Sequence, residues 1–198
     1  MGTLERKNRQ KAATRLSILD AAMEIVCQEG WQALSMRKIA DLIEYTPPVI
    51  YEYFDNKDSL LAELSRIGFS KLNRVMKIAA KGISDPVQKL ERMWLAYWDF
   101  AFSQKERYQL MFGVGTFCCD KLIQSEVTAP ISELVMPVIA KMLGQSNQDA
   151  SQTERRYFAC WSLVHGLISL NLIKRGSSEQ FNKRVLVDGI HGLAIMAS

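Results

Sequence analysis

A short helix near the N-terminus, with a clearly marked start and end, constrains the fold more than any other segment of this chain. Thr46 is a residue type that caps helix N-termini, and Pro47 supplies the fixed backbone angle that the first helical position tolerates. Downstream, Asp55 and Asn56 can cap another helix. The short helix that begins at Thr46 is therefore confined to residues 46–54, a length of about 12 Å at ~1.5 Å per residue.

A second amphipathic segment lies directly upstream. Over residues 35–43, apolar side chains recur at helical spacing while their neighbours stay polar; the apolar ones are Met36, Ile39, Ala40 and Ile43. Two short helices joined by Glu44 and Tyr45 make a helix-turn-helix. Because a helix of about 12 Å suits the ~12 Å major groove, the pattern predicts a chain that binds double-stranded DNA.

The residues around this motif resemble the DNA-binding domain of TetR-family repressors in their order and spacing; they are Gly30, Trp31, Ser35, Ile39, Ala40, Tyr51, Phe54, Lys57 and Leu60. The resemblance covers about the first 65 residues and implies a three-helix DNA-binding domain. The turn departs from the family pattern, since Ile43 and Glu44 stand where a small residue and a glycine are usual. Without glycine, a left-handed turn residue costs about 1 kcal/mol or more.

The predicted DNA contacts are Ser35, Arg37, Thr46, Pro47, Pro48, Val49, Tyr51, Tyr53 and Lys57. Arg37 can bind guanine through its forked guanidinium or hold a phosphate, and a solvated arginine on the helix face is the alternative. The prolines and Val49 offer apolar carbon to thymine methyl groups. The resemblance implies phosphate contacts from the two tyrosines, and Lys57 adds charge at a helix N-terminus. Core packing is the alternative for the tyrosines, and Ile50 and Phe54 are predicted to be core residues.

The net charge of +4 is concentrated at the N-terminus. Residues 1–15 contain one acidic side chain, Glu5, against the basic residues Arg6, Lys7, Arg9, Lys11 and Arg15, so this arm holds the whole surplus. A basic arm before the first helix favours a nucleic-acid partner. The alternative is a solvated tail that only keeps the chain soluble.

Glycines and capping residues divide the chain into helices with little room for strands, which predicts an all-α fold. A helix over residues 13–29 is expected to bury Leu16, Leu19, Met23 and Val26. A long helix from Lys57 to Gly82 is expected to use Leu60, Leu61, Leu64, Ile67, Leu72, Val75 and Ile78. The predicted domains are 1–60, for DNA binding with the basic arm, and 61–198, for ligand binding and dimerisation.

The last two predicted helices, over residues 153–174 and 179–196, carry more apolar surface than one small domain can bury. Their apolar residues include Leu163, Leu167, Leu170, Ile173, Val185, Ile190, Leu193 and Ile195. One helix-turn-helix domain buries too little surface for tight site-specific binding, so a homodimer that binds two half-sites is expected. The family resemblance implies the same, through a four-helix bundle of the last two helices.

The middle of the chain is rich in aromatic and methionine side chains. Core packing is the simpler interpretation of each residue, but the family resemblance implies a cavity for a small hydrophobic effector. The predicted ligand-binding residues are Trp94, Tyr97, Trp98, Phe112, Phe117, Met136, Trp161 and His165. Residues 161–166 also resemble a Trp-to-His-Gly signature of one TetR subgroup. The alternative for His165 is a buried neutral ring bonded to a backbone carbonyl.

Several protein classes are disfavoured. Two isolated histidines and the lack of a phosphate loop or nucleophile–base pair argue against an enzyme, and no metal or cofactor is expected. The cysteines are expected to be buried reduced thiols, with redox sensing as the alternative for Cys118 and Cys119. Since no apolar run approaches roughly 20 residues and the start lacks a secretory signal, a cytoplasmic protein without membrane contact is expected.

These features predict a transcription regulator, most simply a repressor, that binds a palindromic operator as a dimer. Its effector would favour a dimer geometry that no longer matches the operator. A constitutive repressor without a ligand is one alternative. A helical carrier or adaptor protein, whose basic arm binds a membrane or an acidic partner, is the other.

Overall fold

The computed structural model describes residues 2–112, 121–144 and 150–195, and every regular element in these ranges is a helix. The elements are α1 (Thr3–Glu29), a 3₁₀ turn (Trp31–Ala33), α2 (Met36–Leu42), α3 (Pro47–Tyr51), α4 (Lys57–Ala79), α5 (Pro86–Ser103), α6 (Lys105–Phe112), α7 (Lys121–Met142), α8 (Ala150–Leu172) and α9 (Glu179–Ile195). The predicted all-α fold is confirmed. None of the described helices is long and apolar enough to span a membrane.

The described residues fall into two compact units. The first unit contains the chain up to Gly68 together with α6. The second unit contains the rest of α4 from Phe69, together with α5, α7, α8 and α9. The helix starts follow from local chemistry in both units. Asn56 Oδ1 accepts the Ser59 N–H at 2.8 Å and caps α4, and Asp85 Oδ1 accepts the Gln88 N–H at 2.7 Å and caps α5.

The first unit packs α1, α2, α3, α6 and the start of α4 around one apolar core. Its buried side chains include Ile18, Leu19, Val26, Ile39, Ala40, Leu60 and Leu64. Ile50 is fully buried and Phe54 nearly so, which confirms both as core residues. Leu16 was expected inside and is 59% exposed. Two residues along a helix turn a side chain by about 200°, so Leu16 lies opposite Thr14 and Ile18, which are buried.

The basic arm is part of α1. This helix begins at Thr3, about ten residues before the predicted start, and its residues 4–13 are all exposed. Arginine, lysine, glutamine and alanine are good helix formers, and a helix already fixed by packing can extend without a new nucleation step. The N-terminal charge therefore sits on a helical extension and not on an irregular tail.

The second unit is built around α5, which packs against α7, α8 and α9. One face of α5 is buried and strongly aromatic, and α7 continues as one helix through Pro130 and Pro137. In the part of α4 that belongs to this unit, Val75 and Ile78 were expected inside but are 36% and 61% exposed. Leu72, which was also expected inside, is fully buried together with Met76, and these two residues lie four apart on one face of the helix.

The turn between α8 and α9 is held by a small polar network. The buried Asn182 donates from Nδ2 to Asn171 Oδ1 at 3.0 Å and to the Ser178 carbonyl at 2.9 Å. Further along α9, Gly189 lies so close to α8 that an added Cβ would meet Leu163 Cδ2 at 2.3 Å. These contacts fix the two helices against each other.

Candidate functional site

The helix-turn-helix is shaped by hydrogen bonds at its turn. Ser35 Oγ accepts the Lys38 N–H at 3.2 Å and caps α2, and the Tyr45 N–H donates to the Ala40 carbonyl at 2.9 Å. Glu44 lies in the turn between α2 and α3 and has φ = 58°. The turn therefore adopts the left-handed conformation that favours glycine, although glutamate occupies the position.

At the start of α3, the backbone conformation is the one that the sequence predicts, but the predicted side-chain hydrogen bond is absent. Thr46 has the extended backbone of an N-cap residue, and Pro47 occupies the first helical position. The Thr46 side chain makes no capping hydrogen bond, so that expectation was wrong. Since Pro47 and Pro48 have no N–H, the first donor of α3 comes from Val49, which bonds to the Thr46 carbonyl at 3.0 Å. The exposed Thr46 hydroxyl is left available to a ligand.

None of the nine predicted DNA contacts is buried. Arg37, Thr46, Pro48 and Tyr51 are exposed, and the half-buried ones are Ser35, Pro47, Val49, Tyr53 and Lys57. Tyr51 is 52% exposed, whereas Tyr53 packs partly against the core of the first unit. These side chains thus lie on or next to α2, α3 and the start of α4, within one unit.

Lys57 also has a structural partner. Its Nζ donates to the Gln32 carbonyl at 3.0 Å and ties the start of α4 to the 3₁₀ turn. An ammonium group has three donors, so two remain for a phosphate. Lys57 therefore combines an internal bond with a position suited to anion binding.

Arg15 is a residue whose role the sequence did not reveal. Its guanidinium lies 5.1 Å from the centre of the Phe54 ring and 3.1 Å from the Glu63 carboxylate. Glu63 also accepts two hydrogen bonds from Arg66, and the bonds from Arg66 and then Arg15 lower the pKa of this carboxyl. Arg15 thus supports the end of the helix-turn-helix, and the signal was its position where the arm meets the packed part of α1.

Three of the predicted ligand-binding residues form a buried aromatic cluster on α5, namely Trp94, Tyr97 and Trp98. The Trp94 ring lies 5.7 Å from that of Tyr97 and 6.3 Å from that of Tyr157 on α8, between ring centroids. Burial raises the pKa of Tyr157, so its phenol stays neutral. Sequence reasoning missed Tyr157, although it stands four residues before Trp161 on the same helix.

Two other predicted ligand residues meet on α8. The Trp161 and His165 rings stack with centroids 5.4 Å apart, and both side chains are half-buried. Burial lowers the pKa of His165, which favours the neutral ring. Trp161 also contacts Phe158 at 5.8 Å, and Phe158 is 60% exposed. This pair therefore borders the surface of α8.

Two of the remaining predicted ligand residues lie on other helices. Met136 is half-buried on α7 in the second unit. Phe112 belongs to the first unit, where its ring lies 4.7 Å from that of Tyr108 on the same helix. Phe117 lies outside the described residues.

The two cysteines that the structure describes differ in burial. Cys160 is buried, and burial raises the pKa of its thiol to about 11, so the neutral and unreactive form dominates. Cys27 is exposed, which contradicts the expectation that it is buried. Cys118 and Cys119 lie outside the described residues.

One surface of α8 and α9 remains apolar and exposed. Phe158, Leu170, Ile173 and Phe181 are between 47% and 63% exposed. Gly166 and Gly192 lie on the same helices, and a Cβ added at either would meet nothing within 4 Å. The chain itself therefore leaves room for another helix here.

Two family profiles match the chain in succession. The profile of bacterial regulatory proteins of the tetR family matches residues 18–64. The profile of the tetracyclin repressor-like C-terminal domain matches residues 90–187. The narrower Trp-to-His-Gly subgroup stays a prediction.

Relatives with known roles match the chain in part. It is 28% identical over 110 residues to the HTH-type transcriptional regulator AcrR of Shigella flexneri, covering 54% of this chain and 51% of the relative. It is 29% identical over 98 residues to the HTH-type transcriptional activator FasR of Mycolicibacterium smegmatis, covering 50% and 45%. It is 33% identical over 79 residues to the HTH-type transcriptional repressor KstR of Mycobacterium tuberculosis, covering 40% and 36%. The chain spans about half or less of the length of these curated relatives.

Solved structures share the fold over nearly the whole chain. The crystal structure of the protein SCO4313 is similar with a TM-score of 0.74 and 24% identity, covering 93% of this chain and 98% of that one. A Rhodococcus sp. RHA1 protein of unknown function has a TM-score of 0.76 and 19% identity, covering 92% and 94%. With both profiles matched in order, the chain belongs to the TetR family of DNA-binding transcriptional regulators, which are not enzymes.

Proposed function

We propose that this regulator is a ligand-responsive repressor that binds a palindromic operator as a homodimer and is released by a small hydrophobic effector. The observation that carries the DNA-binding part is the accessibility of all nine predicted contacts on one helix-turn-helix. The relatives include an activator and a repressor, so repression is part of the proposal and not of the family assignment. The proposal includes a cytoplasmic location, since a DNA-binding regulator of a bacterial family acts where the chromosome lies.

The proposed roles of the two parts of the chain are those that the sequence predicts. Residues 1–60 would bind the operator, with Arg37 reading bases and Tyr51, Tyr53 and Lys57 binding phosphates. Residues 61–198 would hold the effector and the dimer interface. This boundary is a functional one and concerns which residues act on DNA.

A gel-shift titration with the DNA upstream of the protein's own gene tests operator binding. Tyr51→Phe and Lys57→Ala should weaken binding to all sequences, and the lysine variant should also lower the salt slope by about one unit. Lys81→Ala is the matched control, because Lys81 is an exposed lysine of the second unit. An unchanged salt slope for Lys57→Ala would exclude a phosphate contact, and the absence of any DNA binding at low salt would refute the whole proposal.

The dimer is supported by the exposed apolar surface of α8 and α9. A second copy packed there would bury Ile173 and Phe181, which are 63% and 56% exposed in one chain. Ile173→Asp should give a monomer in sedimentation at micromolar concentration while the wild type remains a dimer. Ile78→Asp is the control, because Ile78 is 61% exposed on α4. A monomeric wild type would refute this part.

A constitutive repressor without an effector is the second candidate. It is favoured by the closure of the α5 cluster, in which Trp94, Tyr97 and Trp98 are at most 1% exposed. The two candidates differ in one measurement, namely release of the protein from its operator by hydrophobic compounds. If a compound releases the protein from its operator at a concentration at which the wild-type protein stays folded, the effector-responsive repressor is favoured. If no compound of a broad panel releases it, the constitutive repressor is favoured.

A further inference from the structure

Two buried hydrogen-bond donors on α5 lack an acceptor among the residues that the structure describes. They are the indole Nε1 groups of Trp94 and Trp98, and neither nitrogen is accessible to water. The two residues are four apart, so they lie on successive turns of one face of the helix. Buried polar groups nearly always have a partner, and the cost of leaving one without a partner is substantial.

The side chains in ring contact with these two tryptophans are aromatic. Around Trp94 they are the aromatic rings of Tyr97 and Tyr157, and next to Trp98 is Phe102, with ring centroids 4.7 Å apart. An N–H group directed at a ring is a weaker interaction than one directed at an oxygen. An oxygen acceptor at these two donors would therefore stabilise the cluster.

The charge of that acceptor is restricted by the surroundings. Among the described residues of the second unit, the buried polar side chains are Thr153 and Asn182, and no lysine or arginine is buried. A carboxylate beside the α5 cluster would lose its hydration without meeting a buried cation, which is costly. An uncharged oxygen, such as that of a ketone, ester or amide, avoids this cost.

We propose that the effector is an uncharged apolar molecule with a carbonyl-type oxygen that accepts hydrogen bonds from the indole N–H groups of Trp94 and Trp98. This inference rests on the proposed effector binding by the second unit and names the chemical class of the effector. Because the two nitrogens are closed to water, the effector has to displace neighbouring side chains as it binds. Binding therefore requires a rearrangement around α5.

The test uses three small probes of similar shape that differ in the acceptor: acetophenone, which has a neutral carbonyl, ethylbenzene, which has none, and benzoate, which is an anion. The chain contains four tryptophans, so the ¹H–¹⁵N spectrum of the full-length protein has few indole signals to assign. Trp94→Phe and Trp98→Phe assign two of them and keep an aromatic ring. Trp31→Phe in the first unit is the matched control.

Acetophenone at millimolar concentration should shift the Trp94 and Trp98 N–H signals downfield and bind about two- to tenfold more tightly than ethylbenzene. Benzoate should bind most weakly. Each tryptophan variant should lose this preference for acetophenone, while Trp31→Phe keeps it. The wild-type comparison holds even where a variant fails to fold.

Ethylbenzene or benzoate binding as tightly as acetophenone would overturn the inference and leave an apolar effector site in place. If none of the three probes perturbs either indole signal, the effector site itself is refuted at this position, while operator binding is judged separately by gel shift. These outcomes distinguish a wrong chemical class from a wrong site.

Discussion

The two units place their candidate functional side chains in opposite positions. In the first unit, the predicted DNA contacts lie at the surface of a closed core, so that Tyr51 is 52% exposed next to the fully buried Ile50. In the second unit, Trp94 and Trp98 are themselves part of the core. In the first unit, substitutions that weaken DNA binding should therefore leave the stability of the fold unchanged. In the second unit, substitutions of the candidate ligand-binding residues should also destabilise the fold.

The largest expected effect is on stability in the second unit. Trp98→Ala removes a fully buried ring and should lower the free energy of unfolding by about 3–5 kcal/mol. Tyr51→Ala, at an exposed position of the first unit, should change it by less than about 0.5 kcal/mol while weakening operator binding. Urea unfolding of both variants measures the difference. Equal losses would show that the two units do not differ in this way.

Two glycines sharpen the comparison within the second unit. Gly189→Ala should cost no more than about 1 kcal/mol, because the new Cβ would meet Leu163 Cδ2 at 2.3 Å and this flexible side chain has to change its rotamer. Gly166→Ala meets nothing within 4 Å in the chain and should be neutral or stabilising for the monomer. If Gly166→Ala instead weakens the dimer in sedimentation, a partner helix packs at this position.

Each unit contains a non-glycine residue in the left-handed region, and these form a matched pair. Glu44 has φ = 58° and Lys174 has φ = 57°. Replacement of either by glycine should raise the free energy of unfolding by up to about 1 kcal/mol, since the strain of the side chain is removed. Only Glu44→Gly should also change operator affinity, because Glu44 lies in the turn before α3. Thermal unfolding and gel shift on both variants check this.

The smallest expected effect concerns pH. Burial lowers the pKa of His165 below its ordinary value of 6.5, so the unfolded chain binds the proton more readily than the folded one. Folding stability should therefore fall as the pH drops through that ordinary value towards the lower folded value. His165→Gln should lose less stability than the wild type between about pH 7 and about pH 5. A variant with the same acid sensitivity as the wild type would contradict this.

The first unit could be predicted well because its signals are local. The Pro47 start, the polar turn and the buried Ile50 and Phe54 depend on residues a few positions apart, and each was found where the sequence indicated. The Thr46 hydroxyl was an exception. A residue type that can cap a helix does not reveal whether its side chain bonds to the backbone or remains available.

Long-range packing explains what the sequence could not supply. Leu16, Val75 and Ile78 are apolar at helical spacing, yet they face solvent, because which face is buried depends on the helices that pack against it. The contact of Tyr157 with Trp94 joins helices more than fifty residues apart in the chain. Phe112 was grouped with the α5 aromatics by composition but belongs to the other compact unit.

The strained turn at Glu44 has a consequence for protein engineering. Most substitutions destabilise a protein, and a variant tolerates them only while enough stability remains. A glycine at position 44 would return up to about 1 kcal/mol, roughly the cost of one average substitution. Libraries that alter operator preference through Pro47, Pro48 or Val49 should therefore yield more folded members when built on a Glu44→Gly background.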